Sequence, residues 1–150
     1  LVRKHIPDIE FLIIGANPTP RVEKLGCDPA VTVTGRVVDV YEYILSCDVM
    51  VAPLTFGSGI KIKVIESMAC GVPVVATSIA AEGIGAENGI HMIIADIPED
   101  FCSAIVSLIN DSALRQRIGK NGQEYVLSRF AHDKVLAVWR DVFAYIMDQT

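Results

Sequence analysis

Residues 53–83 read PLTFGSGIKIKVIESMACGVPVVATSIAAEG, and no other stretch narrows the possible folds of this chain as far. A turn with almost no side-chain bulk, Gly57-Ser58-Gly59, leads into a run where Val64, Ile65, Met68 and Ala69 recur at helical spacing. Gly71-Val72-Pro73 stops that helix, since glycine accepts the left-handed backbone of a helix end and proline cannot continue one. Val74-Val75-Ala76 follows at once. A short run that is apolar at every position suits a strand covered on both faces, as strands of parallel sheets are. Loop, helix and strand in this order make a crossover unit, which needs a parallel neighbour strand before it.

The same pattern repeats along the chain. Residues 10–16 (EFLIIGA), 31–34, 48–53, 74–77 and 91–95 predict five short strands. Between them, residues 21–26, 40–47 and 60–70 predict helices, the second with Asp39 as its N-cap. Residues 1–5 read as the tail of a helix ended by Pro7. The chain then turns helical: residues 98–110, residues 113–128 opened by Asp111-Ser112, and residues 131–147. In the last, Val135, Val138, Trp139, Val142, Phe143 and Ile146 share one face, with Trp139 and Phe143 as its packing anchors. Alternating strands and helices predict an α/β fold with right-handed crossovers and a doubly wound, Rossmann-like parallel sheet. A length of 150 residues fits one domain, residues 1–150, around one core.

Composition excludes several classes. With 51% apolar and 21% charged residues the chain is globular. Its net charge of -5 argues against a nucleic-acid partner, which demands a basic face. No apolar run reaches the ~18–20 residues that span a bilayer. Cys27, Cys47, Cys70 and Cys102 form no C-x-x-C pair and have no histidine neighbours, so no metal site is expected. Three of them sit in apolar patterns and read as small core residues, reduced in a cytoplasmic setting. His5, His91 and His132 are scattered and read as loop or surface residues. The start Leu1-Val2-Arg3-Lys4-His5 has no signal peptide and looks internal, so a fragment of a longer parent is expected.

The chemistry concentrates in residues 57–66. A bare turn that opens a helix offers unpaired backbone N–H groups and the positive end of the helix dipole, which suit a phosphate. Glu66, further along the helix, can accept hydrogen bonds from sugar hydroxyls. The turn is neither a Walker loop nor a complete G-x-G-x-x-G. The plain readings stand beside these: Gly-Ser-Gly also makes ordinary loops, and Glu66, off the apolar stripe, also fits a solvated acid paired with Lys63.

Gly57-Ser-Gly-Ile-Lys-Ile-Lys-Val-Ile-Glu-Ser-Met-Ala-Cys-Gly-Val-Pro-Val-Val-Ala-Thr77, then Ala81-Glu-Gly-Ile84, resembles the C-terminal domain of family 4 (group 1) retaining glycosyltransferases of the GT-B fold. Phe11-Leu-Ile-Ile-Gly15, Val33-Thr-Gly35 and Cys47-Asp-Val-Met-Val-Ala-Pro53 resemble its flanking strands in order, so the likeness covers nearly the whole chain. It implies a nucleotide-diphosphate sugar as donor substrate, no further cofactor, and transfer to a sugar, lipid or protein hydroxyl held by an N-terminal domain outside this chain. In that family two acids separated by seven residues mark the donor site. The second, which contacts the ribose, falls on Glu66; the first, which touches the transferred sugar, falls on Ser58, a departure. Backbone amides of Gly59, Ile60, Lys61 and Ile62, next to Gly57, would face sugar and diphosphate, and Gly35, Arg36 and Val37 would lie near the base.

A second departure concerns the sheet. The family's first, central strand, with an Arg and a Lys for the diphosphate, would precede Leu1; Lys61 or Lys63 would have to stand in for those cations. Losing a central strand exposes backbone donors and acceptors. The chain is therefore expected to pair those edges with another copy as a homo-oligomer, to swap strands, or to close the gap. The resemblance implies a hexosyltransferase-like parent, cytoplasmic and in its full length a candidate for peripheral membrane association, with the isolated fragment inactive. The alternative is a non-catalytic nucleotide-binding or interaction domain that keeps a GT-B half fold, favoured by Ser58. A nucleotide-sugar epimerase fits the sheet but accounts less well for Glu66.

Overall fold

The computed structural model describes residues 1–148. Its parallel strands form two sheets rather than one. Strand β1 (Phe11–Ile14) pairs with β2 (Val31–Gly35), and β3 (Met50–Ala52), β4 (Val74–Ala76) and β5 (Ile93–Ile94) pair in that order, all parallel. Strands β1 and β3 do not pair with each other. Direct closure between these two edges, one of the arrangements expected from the sequence, is therefore not what the chain adopts.

Helices cover both faces of the three-stranded sheet, which makes it doubly wound. On one side Val74 and Ala76 pack with Val64 and Met68 of α3 (Ile62–Ala69), Ala80 of α4 (Ser78–Ala81) and Val126 of α6 (Ser112–Phe130). On the other, Val75 packs with Ala104 and Leu108 of α5 (Pro98–Asn110) and Ile118 of α6. The alternation of successive side chains across a strand explains why Val74-Val75-Ala76 had to be apolar throughout. Every residue of β4 is buried, whereas no residue up to Val51 is. Phe11 at the head of β1 is 41% exposed.

Local starts and stops follow sequence chemistry. Asp39 caps α2 (Val40–Ser46) by accepting the Tyr41 N–H at 2.8 Å, and Asp111 caps α6 by accepting that of Leu114 at 2.9 Å. Several boundaries differ from expectation. The segment expected as one helix over residues 21–26 is α1 (Pro20–Glu23) followed by a 3-10 turn, Lys24–Cys27, and Leu1–His5 holds only a 3-10 turn, Val2–Lys4. Helix α4 was not foreseen, and α7 runs His132–Asp148.

Side-chain placements also shift. Only Cys102 is buried; Cys47 and Cys70 are half-buried and Cys27 exposed, so one cysteine and not three belongs to the core. His91 is half-buried: its Nδ1 accepts the Glu87 N–H at 3.0 Å and its ring lies 4.3 Å from that of Tyr125. Trp139 and Phe143 stack on each other at 5.8 Å, and both remain more than half exposed, so this part of α7's apolar face is uncovered.

Candidate functional site

The carboxyl ends of parallel strands gather the loops that carry the predicted site. Gly35 ends β2, residues 53–61 leave β3, Thr77 leaves β4 and Asp96 lies just beyond β5. Thr77 fixes the root of the loop after β3. Its buried hydroxyl donates to the Leu54 carbonyl at 2.6 Å and accepts the Ala80 N–H at 3.2 Å, which also caps α4. From above, Gly83 supports the loop: a Cβ there would stand 3.0 Å from Cγ1 of Ile60. Lys61 closes the loop on itself, its Nζ donating to the Gly59 carbonyl at 2.6 Å. Gly59, at φ 75°, takes a backbone that other residues reach only with strain.

The helix begins two residues later than the sequence suggests. Lys61 is extended (φ -91°, ψ 93°), so Ile60 and Lys61 belong to the loop and Ile62 is the first helical residue. Among the described residues the amides of Gly59, Ile60, Lys61 and Ile62 donate to no partner, while those of Val64 and Ile65 bond to the Lys61 carbonyl. Gly57, Ser58, Gly59, Ile60 and Ile62 are exposed. The result is an open row of N–H donors at the start of a helix, on a loop pinned at both ends.

Glu66 sits on the same helix, half-buried, and the ion pairs among the described residues do not include it, so the pairing with Lys63 is not formed. Its partner is instead the phenol of Tyr41, which donates to Oε1 at 3.0 Å. That bond and the carboxylate's charge hold the Tyr41 phenol above its ordinary range, since both favour the protonated form. One turn on, partial burial and then the same carboxylate push the Cys70 thiol up. Gly35, Arg36 and Val37 form the turn after β2, with Gly35 at φ 68° and Arg36 exposed. No hydrogen bond among the described residues joins these three to residues 57–62; the link between the two regions is Tyr41 of α2 meeting Glu66 of α3. An open depression of about 610 Å³ runs along β2 from Cys27 and shares only Gly35 with the predicted set. Among the described residues no group of three or more His, Cys, Asp or Glu side chains could hold a metal ion.

Sequence reasoning missed Tyr41, Thr77 and the Ser78–Asp96 pair. Asp96 accepts from the Ser78 hydroxyl at 2.5 Å and the Ser78 N–H at 2.8 Å, tying α4 to the end of β5. The hydroxyl first and the amide second hold the Asp96 carboxyl below its ordinary 3.8. A carboxyl depressed on folding stabilises above its unfolded pKa, and that contribution disappears as pH falls through the lower folded value. Asp96→Asn is therefore expected to flatten the loss of thermal stability below about pH 4, modestly for so exposed a group. Melting temperatures of both proteins across the acid range check this; identical acid limbs would contradict it.

The sequence profile of the family described as "Glycosyl transferases group 1" matches residues 1–111. The chain is 30% identical over 133 residues to a D-inositol 3-phosphate glycosyltransferase of Paenarthrobacter aurescens, a match covering 80% of this chain and 32% of that one. It spans about a third of the length of the curated relatives it matches. Sucrose-phosphate synthase of Thermosynechococcus elongatus superposes with a TM-score of 0.82 at 22% identity, covering 99% of this chain and 41% of that one. Anabaena Alr3699/HepE in complex with UDP-glucose superposes at 0.77 and 19% identity, over 95% of this chain and 42% of that one.

Proposed function

Because the chain belongs to the group 1 glycosyl transferases, we propose that it holds the donor, a nucleotide-diphosphate sugar, for transfer of the sugar to an acceptor hydroxyl. The observation that carries this reading is the open row of amides from Gly59 to Ile62, set on a pinned loop at the carboxyl edge of a parallel sheet, with the Glu66 carboxylate on the helix that follows. In this reading the amides face the diphosphate, Glu66 accepts from the ribose, and Gly35, Arg36 and Val37 border the base. Charge that develops on the leaving diphosphate is met by donors already in place. Transfer with retention, no cofactor beyond the donor and a cytoplasmic setting belong to the proposal; among the described residues no helix is long and apolar enough to cross a membrane.

Titration calorimetry of the chain with UDP-glucose, UDP, GDP and ADP tests it. One of these is expected to bind, and Glu66→Ala to weaken that binding at least tenfold, about 1.4 kcal/mol or more, as a lost hydrogen-bond acceptor for two hydroxyls implies. Binding by none, or equal binding by Glu66→Ala, overturns the reading. A second reading, a nucleotide-binding or interaction domain without chemistry, draws on Ser58, exposed where the family's pattern has an acid. Tight donor binding with no turnover once the acceptor-binding part of a longer parent is supplied would favour it.

A further inference from the structure

Tyr41 stands out among the side chains near the proposed donor site, because it joins two elements far apart in sequence at the one carboxylate the site uses. Its backbone is fixed by the Asp39 cap, which accepts the Tyr41 N–H at 2.8 Å. Its ring is 44% exposed, so it is not held there by burial. Its hydroxyl donates to Oε1 of Glu66 at 3.0 Å, and no lysine or arginine competes for that carboxylate among the described ion pairs. Oε2 accepts no hydrogen bond from the described residues. An ionised carboxylate has about four acceptor sites, so one phenol leaves room for two further donors.

We propose that Tyr41 is a positioning residue for Glu66: resting on the donor-site reading above, its phenol holds the carboxylate in the orientation that receives the two ribose hydroxyls. A glutamate on a helix face otherwise samples several rotamers, and ordering it at the moment of binding costs affinity. A hydrogen bond already made to one oxygen removes part of that cost and leaves the other oxygen available as an acceptor. The raised titration of the phenol agrees with the pairing, since a carboxylate acceptor stabilises the protonated ring hydroxyl. The role is distinct from contact with the ligand: Tyr41 acts on the pentose through Glu66, so its effect depends on ribose hydroxyls being present.

That dependence gives the test. Affinities of the unaltered chain and of Tyr41→Phe are measured for UDP, GDP and ADP and for their 2′,3′-dideoxy counterparts. For the nucleotide that binds, the substitution is expected to weaken the ribose form about three- to tenfold, on the order of one charge-assisted hydrogen bond's orienting effect, and to leave the dideoxy form unchanged. Equal loss on both forms would mean a structural role, and unchanged or tighter binding of the ribose form would mean the phenol does not orient Glu66; either overturns the proposal. Spectroscopic titration of the tyrosines gives a readout free of ligand. In Glu66→Gln the Tyr41 component, defined by difference from Tyr41→Phe, is expected to move to lower pH, and no movement overturns the pairing. If the titration moves but no nucleotide binds the unaltered chain, the donor-site reading has failed and takes the positioning role with it. If nucleotide binds and Tyr41→Phe is indifferent, only the positioning role has failed.

Discussion

Gly119→Ala is expected to cost about 3 kcal/mol or more of stability, at or beyond the upper end of ordinary overpacking. Gly119 is buried in α6, and a Cβ there would stand 2.2 Å from the carbonyl oxygen of Gly71 and 3.5 Å from Cδ of Pro73. Helix propensity alone pulls the other way, favouring alanine by about 1 kcal/mol. The clash wins because its partner is backbone that cannot retreat. The Gly71 N–H bonds to the Met68 carbonyl at 2.9 Å, and that of Val72 to the Ser67 carbonyl at 3.1 Å, so the stop of α3 is already tied down. Against a total of roughly 5–15 kcal/mol for a domain, such a loss removes a large part of the folded state's margin. Urea denaturation measures it, with Gly15→Ala, where an added Cβ meets nothing within 4 Å, as the comparison. A midpoint for Gly119→Ala at or above that of the unaltered chain would show that α6 and α3 do not pack as described. Since Gly71 closes the helix that carries Glu66, the same contact also sets where that helix sits.

Amide exchange is expected to divide the chain in two. Val74–Ala76 is buried on both faces and paired on both edges, so its amides open only with the whole core. Strands β1 and β2 pair only with each other, and no residue up to Val51 is buried. Their local opening should therefore cost at least ~3 kcal/mol less, which corresponds to exchange on the order of 100-fold faster after correction for intrinsic rates. Protection factors by deuterium exchange, read per strand, decide the matter. Equal protection of Leu12–Ile14 and Val74–Ala76 would mean that the two sheets unfold as one unit. The consequence for function lies in the turn at Gly35, Arg36 and Val37, which belongs to the less protected part, while the half-buried Glu66 stands on α3, whose Val64 and Met68 are in the core.

The strand at residues 74–77 and the helix before it were legible because both obey burial directly: an unbroken apolar run for a strand with two covered faces, and a stripe for a helix with one. Ser67 escaped notice on that helix. Its hydroxyl bonds back to the Lys63 carbonyl at 2.8 Å, which satisfies the polar atom locally and lets a serine stand in the core. The division into two sheets could not be read from a pattern that reports which faces are covered and says little about which edges meet. Expected strand order allowed for a gap; whether the chain would close it depended on long-range geometry. The candidate site divided the same way. Gly57, Gly59 and Glu66 announced themselves through residue type and spacing, but Tyr41 lies 25 residues from Glu66, and no periodicity connects a helix cap on one element to a carboxylate on another. The helix start moved past Lys61 because its side chain turns back to the Gly59 carbonyl, a local closure that composition does not encode.

Among the described residues the buried side chains all fall between Ala52 and Val126. During synthesis, residues 1–51 leave the ribosome before any of the segment that owns the interior. Their two strands can pair as soon as both have emerged, whereas the second sheet gains its two covered faces only once α5 and α6 follow. The order of appearance is thus the reverse of the order of robustness. Among residues 1–126, the strands made first are the ones with the least burial of their own.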